Sequence, residues 1–151
     1  MRNILSLSLL ICTILFSCKS QDVSKKSSNK AETALIGSKW ILTKLNGDPV
    51  NLTSDELQQP FIKLTETDHG VGGNGGCNSF GGSYTLTDTQ TISFSQMIST
   101  MRYCDDHGIE GVFMGNLQKA STFVIVNNEL TLKDENGYVL ATFEANNEKT
   151  K

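Results

Sequence analysis

Proline occurs only twice in the 151-residue chain, and the 13 glycines follow no three-residue period, so a collagen-like polymer is excluded. An excess of basic charge is also missing. The 13 Lys and Arg residues stand against 16 Asp and Glu, giving a net charge of -3 and a pI near 5.3. That balance lacks the positive footprint a general nucleic-acid binder needs to neutralise phosphates. No apolar run is long enough to cross a bilayer: Ile4 to Phe16 would rise only about 20 Å as a helix, against a hydrocarbon core of roughly 30 Å. P-loop, HExxH and GxSxG patterns are absent. What is present is a 38% hydrophobic fraction, too high for a wholly disordered chain and sufficient for one core.

The first apolar run follows Arg2 and ends at Ser17-Cys18, which reads as a signal peptide over residues 1–17. Leu15-Phe16-Ser17-Cys18 resembles the bacterial lipobox, with Phe16 bulkier than the usual occupant. On that resemblance cleavage precedes Cys18, and its thiol and amino group are acylated. Several acyl chains exceed the two-signal threshold for stable anchoring, so the chain is expected to be held by the membrane without spanning it. The stretch from Cys18 to Gly37 is rich in serine and lysine and lacks aromatics, the composition of a solvated tether. Its r.m.s. reach is roughly 24 Å. Lys19-Ser20, with no aspartate, resembles an outer-membrane sorting signal, so the expected location is the cell envelope at the outer membrane.

From Ser38 the sequence changes to short alternating runs separated by Gly, Asn and Asp, which places the folded domain at residues 38–144 with a tail over 145–151. Trp40, Leu42 and Leu45 mark a first strand ending at Asn46-Gly47-Asp48-Pro49, and Phe61 to Thr65 a second. Tyr84 to Leu86 and Ile92 to Phe94 predict a hairpin; Thr122 to Val126, Leu130 to Leu132 and Tyr138 to Phe143 predict an antiparallel meander. One segment breaks the period of two. Ile109, Val112, Phe113, Leu117 and Ala120 form a helical stripe, with Glu110, Asn116, Gln118 and Lys119 on the other face and Asp105 or Asp106 as its cap. Gly111 and Gly115 cost helix stability, which suggests a close approach by a sheet or loop unless tertiary packing simply tolerates them. The fold class is therefore α+β: a curved antiparallel sheet or partly open barrel packed against one helix.

Gly70, Gly72 and Gly75 satisfy G-x-G-x-x-G but do not lead from a strand into a helix, so no dinucleotide cofactor is expected. Seven of the glycines fall between Gly70 and Gly82, where tight bends and left-handed conformations explain them. Cys77 and Cys104 are the cysteines left once the address segment is removed, and in an exported chain they are expected to form a disulfide. A metal held by His69, Cys77, Cys104 and His107 is the weaker alternative, because only Cys104 and His107 have a recognised spacing; no metal and no cofactor are expected. A Cys104–His107 nucleophile requires a free thiolate that the disulfide removes, so no catalytic residue is assigned.

Trp40-Ile41-Leu42-Thr43-Lys44-Leu45-Asn46-Gly47, then Gly76-Cys77-Asn78-Ser79-Phe80-Gly81-Gly82-Ser83-Tyr84, then Ser99-Thr100 with Cys104, and finally Leu130, Leu132, Gly137 and Phe143 match a known pattern. The sequence resembles a META domain of the HslJ-like bacterial lipoproteins. Arg102 departs from the methionine common two residues before the second cysteine. The resemblance implies sheet wrapped against a helix, envelope location, no established catalysis, and links to heat induction and antibiotic tolerance. The expected function is non-enzymatic: support of envelope integrity through protein or lipid contacts. An alternative is carriage of a hydrophobic ligand between sheet and helix, with Phe113 and Leu117 as its face. The partners expected are the membrane, through the lipid, and an unknown envelope protein or hydrophobic ligand, with no nucleic acid.

Overall fold

A computed structural model describes residues 34–106 and 108–146. Ten strands run in chain order: β1 (Lys39–Leu45), β2 (Asp48–Pro49), β3 (Phe61–Leu64), β4 (Gly70–Asn74), β5 (Ser79–Leu86), β6 (Ile92–Phe94), β7 (Ile98–Ser99), β8 (Thr122–Val126), β9 (Glu129–Lys133) and β10 (Val139–Ala145). Among the described residues a single α-helix, α1 (Ile109–Lys119), lies between β7 and β8. The sheet order is β6-β5-β4-β3-β1-β10-β9-β8, with β2 beside β1 and β7 beside β5. Every strand pair is antiparallel.

The two ends of this sheet nearly meet. Thr91 bridges Thr122, Phe123 N–H donates to the Gln90 carbonyl at 2.9 Å, and Ile92 N–H donates to the Ser121 carbonyl at 2.9 Å. Elsewhere along the seam α1 takes the place of a strand, with Gln118 Nε2 donating to the Ser95 carbonyl at 2.7 Å. The expected partly open barrel against one helix is the architecture observed. Phe113 and Leu117 of α1 are fully buried among Trp40, Leu42, Ile62, Leu130, Leu132 and Phe143, which fill the interior.

Local sequence explains most elements. Trp40 and Leu42 alternate inward as β1 predicts, but Leu45 is odd to them and is buried as well. A register shift between Leu42 and Lys44 inserts one residue against β10 and turns Leu45 back to the core. Asn46-Gly47 and Asn127-Asn128 both adopt positive φ, the backbone that matches a two-residue turn to the twist of its strands. Asp134 Oδ1 accepts the Asn136 and Tyr138 N–H groups, closing the β9–β10 turn. The predicted hairpin over Tyr84 to Phe94 and the C-terminal meander are both present.

The glycine-rich stretch corrects an expectation. Rather than a run of bends, Gly70 to Asn74 and Ser79 to Leu86 are paired strands, and within it only Gly76 has a positive φ. At Gly73 the need is for closeness. A Cβ on Gly73 would fall on the Phe61 carbonyl oxygen and the Phe80 ring, so strand contact there demands a bare backbone.

The helix corrects two more. Val112 is exposed, whereas Asn116 is buried and donates through Nδ2 to Asn46 Oδ1 at 2.9 Å and the Leu140 carbonyl at 2.7 Å. Nothing packs closely on Gly111 or Gly115: a Cβ at either would meet open space. Gly115→Ala is therefore expected to raise stability by about 1 kcal/mol, read as a higher urea midpoint at unchanged slope. A lower midpoint would show that the glycine is needed.

Candidate functional site

The motif residues converge at one end of the barrel, in the loop between β4 and β5. Asn74 Oδ1 accepts the Gly76 N–H at 2.8 Å, Gly75 N–H donates to the Asn78 carbonyl at 2.8 Å, and Gln58 N–H donates to the Gly76 carbonyl at 2.8 Å. These bonds turn the Cys77 and Asn78 amides toward α1. There Glu110 Oε2 accepts both, at 3.1 and 2.6 Å. A Cβ on Gly75 would collide with that carboxylate, which gives this glycine its purpose.

Asn78 is the centre of the arrangement. Its Nδ2 donates to the Arg102 carbonyl at 3.0 Å and to Glu110 Oε1 at 2.8 Å. Its Oδ1 accepts the Thr100 hydroxyl at 2.8 Å and the Arg102 N–H at 2.7 Å. Both donors and both acceptor sites of the amide are used, which fixes its orientation and joins β5, the segment after β7, and α1. Arg102, the departure from the family pattern, contributes mainly through its backbone; its Nη2 also donates to the Cys77 carbonyl at 2.9 Å.

Cys77 and Cys104 form a disulfide with Cα atoms 5.9 Å apart, tying the same two segments covalently. Closing a loop of 27 residues restrains the unfolded chain by about 3.5 kcal/mol on the entropy account. Of the two aspartates proposed as caps, Asp106 serves: its Oδ1 accepts Gly108 N–H at 3.0 Å and its Oδ2 accepts Glu110 N–H at 2.8 Å. The hydrogen bonds that Asn78 and Glu110 make across Thr100, Arg102 and Cys77 form a clasp, which the helix start and the disulfide join as one unit.

This unit has little left to offer chemistry. The Glu110 carboxylate has three donors, Asn78 has four partners, and both sulfurs are in the bridge. Two members of the suggested metal set are those sulfurs; a third, His69, lies edge-on to Tyr84 with ring centroids 5.7 Å apart. His107 lies outside the described residues, as do Cys18, the signal, most of the tether and the tail beyond residue 146. Phe113 and Leu117, the suggested ligand face, fill the interior, and the Phe113 ring centroid stands 6.0 Å from both Phe80 and Phe143.

Sequence reasoning missed Glu110, which it placed on the outer face of α1. No local spacing could find it, since its partners lie 32 residues away or more. Comparison with known proteins accounts for the motif set. The META domain model matches residues 33–147. The chain belongs to the META domain family.

A search of curated proteins finds no match. Among solved structures, this META domain is similar to a protein from Burkholderia xenovorans determined by NMR, at 24% identity and a TM-score of 0.60, over 76% of this chain and 85% of that one. It is also similar to a DUF4847 family protein from Bacteroides vulgatus, at 15% identity and a TM-score of 0.56, over 76% and 96%. A further NMR structure matches at 20% identity and a TM-score of 0.54, over 71% and 87%. These likenesses establish the fold. Within the META domain, the G-C-N element, Thr100 and the second cysteine are the pieces that build the clasp.

Proposed function

We propose that this META-domain protein is a lipid-anchored component of the bacterial cell envelope, acylated at Cys18, that supports envelope integrity through contacts rather than catalysis. The observation carrying the reading is the Cys77–Cys104 disulfide, a bond that persists in oxidising compartments outside the cytosol and so agrees with export. The lipobox Leu15 to Cys18 supplies the anchor. Saturation of Asn78 and Glu110 supports a structural use of the motif residues. The filled interior around Phe113 gives no support to the hydrophobic-carrier alternative.

Cell fractionation tests the anchor. Cys18→Ser is expected to move the protein from the membrane to the soluble fraction, and unchanged retention would defeat the lipidation claim. Thiol titration of the unreduced mature protein tests the chemistry separately. No free thiol is expected, because Cys12 leaves with the signal, Cys18 is acylated and the remaining pair is bridged; a reactive Cys104 would reopen the nucleophile reading.

A further inference from the structure

The polarity of the barrel places two features at opposite ends. The N-terminal segment enters beside Leu64, where Ile36 forms a bridge, and the chain leaves at Asn146, whose N–H donates to the Lys39 carbonyl. The Thr87–Thr91 hairpin tip lies at this end too. At the other end sit the Asn46-Gly47 turn, the clasp and the segment leading from β7 into α1. Three large side chains of that segment stand in solvent: Ile98 is 81% exposed, Met101 99% and Tyr103 91%. Beside Ile98 a shallow hollow is lined by Phe80, Gly81 and Thr100.

The backbone carrying these side chains is held. Ile98 and Ser99 pair with β5, Thr100 and Arg102 are bonded by Asn78, and the disulfide ends the segment at Cys104. Apolar groups on a preordered backbone lose little entropy on association, and exposed aromatic, methionine and arginine side chains are those enriched at interfaces. Three such groups stand exposed within the short segment from Ile98 to Tyr103, a density that calls for a partner.

Charge and position select among occupants. Residues 38–144 carry six basic against thirteen acidic side chains, a balance of -7, which repels both an anionic bilayer and a second copy of the domain. Asp48, Asp55, Glu56 and Asp105 lie exposed at the patch end, on β2, the loop that Gln58 ties to Gly76 and the segment before α1, against the exposed Lys44 and Arg102, so the local excess is acidic. The place of attachment adds direction. A domain anchored through Cys18 is held from the barrel end where Ile36 bridges Leu64, and the patch lies at the other end, away from its own membrane.

We propose that the barrel end bearing the Ile98–Tyr103 segment docks a protein partner with a basic surface around an apolar cleft, Ile98, Met101 and Tyr103 supplying the anchors. The orientation rests on the proposed acylation of Cys18; the patch does not. A photo-reactive residue is placed at Met101, or at Thr89 on the opposite end, in the full acylated chain in the cells that make it. A discrete protein adduct from position 101 and none from 89 is expected. The captured protein, purified, should bind the mature chain with a Kd weakened at least tenfold by Ile98→Ser with Tyr103→Ser, and weakened by salt. These side chains are exposed, so the double variant should keep the wild-type melting temperature. An adduct with phospholipid, an adduct only with a second copy, no protein adduct, or binding indifferent to the two substitutions would each overturn the proposal. The same adduct in Cys18→Ser would keep the docking surface even if fractionation rejected the anchor.

Discussion

Asn78→Ala is expected to lower the unfolding free energy of the domain by about 3 kcal/mol. The residue is buried, and its amide makes four hydrogen bonds to Thr100, Arg102 and Glu110. Each such bond is worth about 1 kcal/mol net, and removal leaves partly buried partners without replacement. For a domain near 110 residues the melting temperature should fall by about 12 °C. Asn78→Asp keeps the shape but loses both donors and sets a carboxylate against Glu110, so it should be at least as harmful at neutral pH. Thr100→Val removes only one of the four bonds and should cost about 1 kcal/mol. Should Asn78→Ala cost no more than Thr100→Val in urea unfolding, the clasp would not be the organising unit of this end of the barrel.

That clasp also shows what the sequence could and could not reveal. The hairpins were legible because their information is local: Asn127-Asn128 and Asn46-Gly47 carry the backbone preference of their turns, and the flanking strands alternate. The strand order was not. It depends on Trp40 lying opposite Ala145 and Ile62 at once, pairings between segments far apart in the chain that no periodicity encodes. The glycine stretch failed for a different reason. Composition signals turns, whereas Gly73 is needed because the Phe61 carbonyl and the Phe80 ring occupy the space a side chain would take. At the site, oxidation chemistry made the cysteine pair readable, and the place before the helical stripe narrowed the cap to Asp105 or Asp106, of which Asp106 bonds the helix start. Glu110 and Asn116 were hidden because a polar residue on an amphipathic helix reads as solvent-facing until its distant partner is known.

Phe113→Ala is expected to cost about 4 kcal/mol, at the centre of the range for removing a buried aromatic ring, and it bears on function as well as stability. The ring is fully buried, set edge-on to Phe80 and tilted against Phe143, so its loss would leave a void enclosed by apolar side chains. Voids of that lining stay dry and accept small apolar molecules. Benzene at millimolar concentration should therefore raise the melting temperature of Phe113→Ala, by binding the folded state alone, and leave the wild-type protein unchanged. This contrast separates the two uses of the helix–sheet interior. If the wild-type chain were stabilised to the same extent, there would be room beside Phe113 without any substitution, and the hydrophobic-carrier reading would return. If only the variant responds, Phe113 itself occupies the place a ligand would need, and the apolar groups left for binding are those on the outside of the barrel.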